Sequence, residues 1–274
     1  MKILKQKIAE KNSRVLVGLD TFIDKFPKYL IKGDSKKDIA DSIIEFNKQI
    51  IDAVYDIVPA VKPQCAFYEQ YGYEGVRALE ETVRYAKAKG LYVIVDGKRN
   101  DIGSTAKGYA DAYLSSEGFD AEALTVNGYL GSDGIKPFLD TGKSIFVLAK
   151  TSNPSSGELQ NLKLENGNYV YEEMAKISDE WNTDENVGIV VGATYPEELK
   201  TLREKFPDLF FLIPGYGAQG GKSADIKPAF EGAGAIVNSS RGILYAWQKN
   251  GGDEKNFAEA ARAETIRMRD DLNG

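Results

Sequence analysis

Eight short apolar runs recur along this chain, and most are far enough apart for a helix to lie between them. They are RVLVGLD (14–20), DIVPAVK (56–62), LYVIVDGK (91–98), AEALTVN (121–127), SIFVLAK (144–150), NVGIVVGA (186–193), LFFLIPG (209–215) and GAIVNSS (234–240). Runs this continuously apolar suit strands buried on both faces, as in parallel sheets covered by crossover helices. The segments between them carry helical periodicity, as in KKDIADSIIEFNKQIIDAV (36–54) and GYEGVRALEETVRYAKAKG (72–90). The second ends on Gly90 with basic residues in its last turn, a helix-stop pattern. Eight such units in about 250 residues predict an α/β chain closed into a (β/α)8 TIM barrel. A doubly wound open sheet is the alternative, but that architecture normally has fewer strands. The stretch 153–185 is long for one crossover. It reads as a polar excursion, NPSSGELQNLKLENGNYV, followed by a helix, YVYEEMAKISDEWN. We expect an insertion at about 153–185 within one domain spanning 1–274, closed by a last barrel helix in EKNFAEAARAETIRMRDDLNG.

Composition narrows the chemistry. The chain has no histidine. Ser-His-Asp and Cys-His catalysis and histidine-ligated zinc are therefore excluded, and acid–base work falls to Asp, Glu, Lys, Tyr or Cys. Cys65 is the only cysteine, so neither an intrachain disulfide nor a Cys-rich metal site can form. A formal net charge of −6 argues against a nucleic-acid partner. No apolar run reaches the ~18 residues needed to span a bilayer. MKILKQKIAEKN lacks the continuous apolar core of a signal peptide. The expectation is a soluble cytoplasmic protein with no membrane partner.

In a (β/α)8 barrel the chemistry sits at the C-terminal ends of the strands. The polar residues there are Asp20, Lys62, Asp96, Lys98, Asn127 and Lys150 to Ser152. The stretch VDGKRNDIGSTA (95–106) places two carboxylates and two cations between Asp96 and Asp101. Strand alternation predicts that Asp96 and Lys98, two apart, project to the same side. Asp101 falls past the strand end, before the helix suggested by STAKGYADAYL. A structural ion-pair cluster would account for one Asp–Lys pair, although buried pairs are costly to desolvate. Lys62, Asp96, Lys98 and Asp101 at adjacent strand ends, with Asp20, point instead to a site. Two glycine-rich stretches, IPGYGAQGG (213–221) and NSSRGI (238–243), follow strands seven and eight, where such barrels commonly bind phosphate. Their backbone N–H groups can approach an anion, and Arg241 can fork onto its oxygens. FYEQYGY (67–73) reads as packing after strand two, and Cys65 as a small buried hydrophobe.

Taken together, DGKRND (a D-x-K-x-x-D motif), Lys62 at the end of strand two, PGYGAQGG and SSRGI resemble the orotidine 5′-phosphate decarboxylase family. The likeness covers nearly the whole chain in order, and its length suits the longer, bacterial-type branch. It implies a dimeric barrel that converts orotidine 5′-monophosphate to UMP and CO2 in pyrimidine biosynthesis, without metal or cofactor. It further implies that Lys62, Asp96 and Lys98 come from one subunit, while Asp101 and Thr105 reach in from the other. Asp20 would hold a ribose hydroxyl and Ser152 the pyrimidine. Gln219 and Arg241 would hold the phosphate, with Pro214 and Gly215 shaping the closing loop. Ser240 stands where many relatives have Gly, beside the backbone contact to phosphate.

The chemistry agrees with this likeness. Loss of CO2 from C6 of the pyrimidine leaves a carbanion that the ring π system cannot delocalise. A cation, Lys98, must sit beside it and then supply a proton, and flanking carboxylates hold that lysine charged. Two rivals remain. Sugar-phosphate decarboxylases and hexulose-phosphate synthases share D-x-K-x-x-D but work through Mg²⁺ and are expected to need Glu where this chain has Lys62. A non-catalytic phosphate-ligand sensor would not require the Lys/Asp array.

Overall fold

The computed structural model describes residues 1–217 and 222–274. Eight parallel strands close into one barrel, each hydrogen-bonded to its neighbours in sequence and the last to the first. They are β1 (Val15–Leu19), β2 (Ala60–Pro63), β3 (Tyr92–Arg99), β4 (Ala123–Val126), β5 (Ser144–Lys150), β6 (Val187–Val191), β7 (Phe210–Ile213) and β8 (Ala235–Ser239). The expected (β/α)8 barrel is the observed fold.

The continuous apolar character of the strands has a direct cause. Alternate residues serve two separate cores. Leu16, Ala60, Ile94, Phe146, Leu212 and Ile236 fill the barrel interior. Val15, Val17, Leu19, Val61, Val93 and Val237 face the surrounding helices. A polar residue on either face would lose water without a partner. The helix Lys2–Lys11 closes the N-terminal end, sending Leu4 and Ile8 into the inner core.

The helix over 36–54 runs Lys36–Val54, capped by Ser35 accepting from the Asp38 N–H. The next runs Tyr73–Ala88, and the chain leaves it through Gly90, whose φ of 79° lies in the left-handed region glycine favours. In the 153–185 stretch, a turn at Pro154–Ser156, a short helix Gly157–Gln160 and a bridge between Lys163 and Tyr169 precede a helix over Val170–Glu180. The last helix spans Phe257–Asn273. No helix among the described residues is long and apolar enough to cross a membrane.

Candidate active site

At the C-terminal mouth, Asp96 is the hub. Its Oδ2 accepts from Lys62 Nζ at 2.8 Å and its Oδ1 from Lys98 Nζ at 2.6 Å. Oδ1 also accepts from the Thr125 hydroxyl at 2.8 Å. Burial works against the Asp96 carboxylate, but Lys62 and then Lys98 outweigh it and hold the group well below the usual carboxylate range. Burial likewise opposes the Lys62 ammonium, yet Asp96 and Asp20 leave it above the ordinary lysine value. The shifts fix the signs of linkage. The depressed Asp96 contributes stability above about pH 4, lost as pH falls through its lowered value. The raised Lys62 contributes below about pH 10, lost as pH climbs through its raised value. Both groups stay ionised at neutral pH.

Asp96 and Lys98 share one side of β3, as expected, but simple alternation is not what brings them together. The β3–β4 pairing slips between Val95 and Arg99: Val95 faces Leu124, while Arg99 already faces Val126. Lys98 sits inside this bulge at φ 47°, a left-handed conformation unusual for a side-chain-bearing residue. Its N–H donates to Thr125 Oγ1 at 3.0 Å. Thr125 therefore holds both the backbone of Lys98 and the carboxylate that pairs with it. Sequence reading missed this residue. The available signal was its place in β4, in register with the inward Phe146 and near the strand end.

Two cavities meet at Lys62, Asp96 and Pro214. One, about 350 Å³, is lined by Lys98, Thr125, Thr151, Ser152 and Asn153, with an apolar floor of Leu148, Val190 and Leu212. The other, about 160 Å³, is lined by Asp20, Gly215, Tyr216, Asn238, Ser239, Ser240 and Arg241. Asp20 Oδ1 and Asn238 Oδ1 are buried with no donor among the described residues, a state that favours a ligand bringing hydroxyl groups. Arg241 opens the short helix Arg241–Leu244 and is exposed. Ser240 fits because residue 18 has no side chain. A Cβ on Gly18 of β1 would lie 1.9 Å from Ser240 Oγ.

The structure thus brings Asp20, Lys62, Asp96, Lys98, Ser152, Pro214, Gly215, Ser240 and Arg241 to one mouth. Asp101 and Thr105 line neither cavity. Asp101 Oδ1 accepts from the N–H of the adjacent Ile102 at 2.8 Å, and Thr105 is exposed on the helix Gly103–Leu114. Gln219 lies outside the described residues. Lys150 lines neither cavity, and its side chain is buried elsewhere. Among the described residues, no group of three or more His, Cys, Asp or Glu is placed to hold a metal ion. Burial pushes the Cys65 thiol up to about 11, so it remains protonated at neutral pH.

A family model described as orotidine 5′-phosphate decarboxylase / HUMPS family matches residues 13–251. The chain is 44% identical to the orotidine 5′-phosphate decarboxylase of Rhodopirellula baltica, over 99% of this chain and 98% of that one. It is also 44% identical to that of Clostridium tetani, over 97% and 95% of the two chains. The solved OMP decarboxylase of Leishmania donovani superposes with a TM-score of 0.78 at 33% identity, covering 98% of this chain and 97% of that one.

Proposed function

The chain belongs to the orotidine 5′-phosphate decarboxylase / HUMPS family, and on that premise we propose that it converts orotidine 5′-monophosphate to UMP and CO2 with Lys98 as the catalytic cation. The observation that carries this reading is the Lys62–Asp96–Lys98 array at the edge of a cavity with an apolar floor. The pyrimidine fits the larger cavity, over Leu148, Val190 and Leu212, with Ser152 reaching its polar edge. The ribose lies at the junction, where the Asp20 carboxylate has an acceptor unused among the described residues. The phosphate points toward Pro214, Gly215, Ser240 and Arg241.

In the reaction the bond from C6 to the carboxyl carbon breaks, its electron pair stays on C6, and CO2 leaves. Lys98 Nζ stabilises that charge and then passes a proton to C6, and the neutral amine regains a proton from water. Asp96 holds Lys98 Nζ in place through a 2.6 Å ion pair before the step, so little reorganisation is needed when the carbanion forms. The Mg²⁺-dependent rivals call for an acidic ligand at the end of β2. The Lys62 ammonium stands there, and it repels a divalent cation.

We further propose a homodimer in which Asp101 and Thr105 complete the partner's site. Asp101 lies outside its own cavities, and nearby apolar side chains are exposed: Ile102 at 54% and Leu130 at 45%. Asp101 and Leu130 both abut Gly134, so these residues form one local surface. A second copy would cover it.

The phosphate end supplies the test. Arg241 is far from C6 in this arrangement, so it acts through binding energy. Arg241→Ala should lower kcat/KM for orotidine 5′-monophosphate by at least about 10²-fold through loss of a charge-assisted fork. Turnover of the nucleoside orotidine, which has no phosphate, should barely change. Steady-state kinetics on both substrates decide this. Equal losses on the two would assign Arg241 to the fold and remove the phosphate site from this mouth.

A further inference from the structure

Lys150, the last residue of β5, is fully buried, and its ammonium pairs with no carboxylate among the described residues. Burying an unpaired charge is expensive, and an apolar side chain of similar volume would pack there at less cost. Its three N–H bonds are nevertheless provided for. Two reach Ser156 Oγ at 3.1 Å and Asn161 Oδ1 at 2.9 Å. The remaining direction is covered by the Tyr195 ring, 4.1 Å from Nζ to its centroid, with Tyr171 at 5.7 Å.

Strict alternation would send Lys150 the same way as Leu148, into the cavity. The β5–β6 register slips between them, Leu148 facing Val190 and Lys150 facing Val191, and this turns the lysine out of the mouth. There it touches the segment 151–161 at its middle and at its far end, through Ser156 and Asn161. That segment carries Thr151, Ser152 and Asn153 into the wall opposite Lys98.

The ties continue from the ammonium to those wall residues. Ser156 Oγ donates to the Tyr195 hydroxyl at 3.1 Å, which donates to the Asn153 carbonyl at 3.2 Å. Gln160 exchanges two hydrogen bonds with Thr151, at 2.9 and 2.7 Å. The Ser152 backbone packs so closely against residue 192 that a Cβ there would lie 2.8 Å from Ser152 Cα, and only glycine fits.

We propose that Lys150 is a positioning residue for the pyrimidine end of the site, its ammonium clamping the segment 151–161 so that Ser152 faces the base. This deepens the decarboxylase reading and rests on it. Lys150→Met keeps the length and removes the charge. It should weaken UMP binding about tenfold, the worth of one well-placed hydrogen bond. Ribose 5-phosphate, which lacks the base, should bind as before. Hydrogen-exchange protection of 151–161 should fall. Asn161→Ala, at an exposed position, should act in the same direction and carries the test if Lys150→Met does not fold. Asn161→Asp, which offers the ammonium a carboxylate, should preserve both UMP affinity and protection. Unchanged UMP affinity in folded Lys150→Met, or equal weakening of UMP and ribose 5-phosphate, overturns the proposal. If the wild type binds no UMP, the decarboxylase reading fails, and unaltered 151–161 protection in the variants then overturns the clamp separately.

Discussion

Replacing Lys98 by alanine should remove at least about 10³ of kcat, the scale of losing one key charge stabiliser, while UMP still binds. Lys98 is the cation exposed to the larger cavity, with 45% of its side chain accessible, whereas the Lys62 side chain is 5% accessible. Binding of UMP draws on the Asp20 and Arg241 end and on the apolar floor, none of which the substitution touches. The bulge that places Lys98 survives too, because the Thr125 hydroxyl holds its N–H rather than its side chain. Alanine at φ 47° carries no worse backbone cost than lysine. Single-turnover kinetics and UMP titration of the same preparation separate the two effects. Near-native turnover by Lys98→Ala would assign the proton and the charge stabilisation to another group.

A second large effect should appear when two dead variants are mixed. Asp101 sits five residues past Asp96, beyond β3 and just before the helix Gly103–Leu114, and it lines neither cavity of its own chain. In a two-fold dimer each site would then draw Lys98 from one chain and Asp101 from the other. Lys98→Ala and Asp101→Ala homodimers should both be nearly inactive. On equal mixing with full exchange, half the dimers become hybrids, and each hybrid has one site with both changes and one with neither. Activity should return to roughly a quarter of wild type, from two-fold symmetry alone. Exchange is checked by native mass spectrometry. Activity that stays at the mutant level after exchange would place Asp101 within its own chain's chemistry.

The strands were legible in the sequence because a closed barrel buries both faces of every strand, and runs such as RVLVGLD and SIFVLAK show it in composition alone. The mouth was legible for a related reason. Charges such as Lys62 and Asp96 at the ends of apolar runs are costly unless they serve each other or a ligand. What alternation could not show is where a strand slips. In β3 the bulge brings Lys98 to Asp96 by a left-handed turn, so two-residue spacing named the correct partners with the wrong backbone. In β5 a similar slip sends Lys150 away from the mouth. Slips of this kind depend on neighbours across the sheet, Thr125 for one and Gly192 for the other, and neither has a local signal in a single strand. Thr125 itself passed unnoticed because threonine is an ordinary strand residue, and only the barrel register turns it toward Asp96.

The central claim is that this mouth decarboxylates orotidine 5′-monophosphate by way of an ammonium and not a metal ion. The measurement that tests it most directly is to incubate the EDTA-treated protein with substrate ¹³C-labelled in its carboxyl group, in D2O, and follow products by NMR and mass spectrometry. The account predicts UMP and labelled CO2 in equal amounts, with one deuterium at C6 and undiminished rate in EDTA. Unchanged substrate, or turnover that appears only when Mg²⁺ is restored, would contradict it.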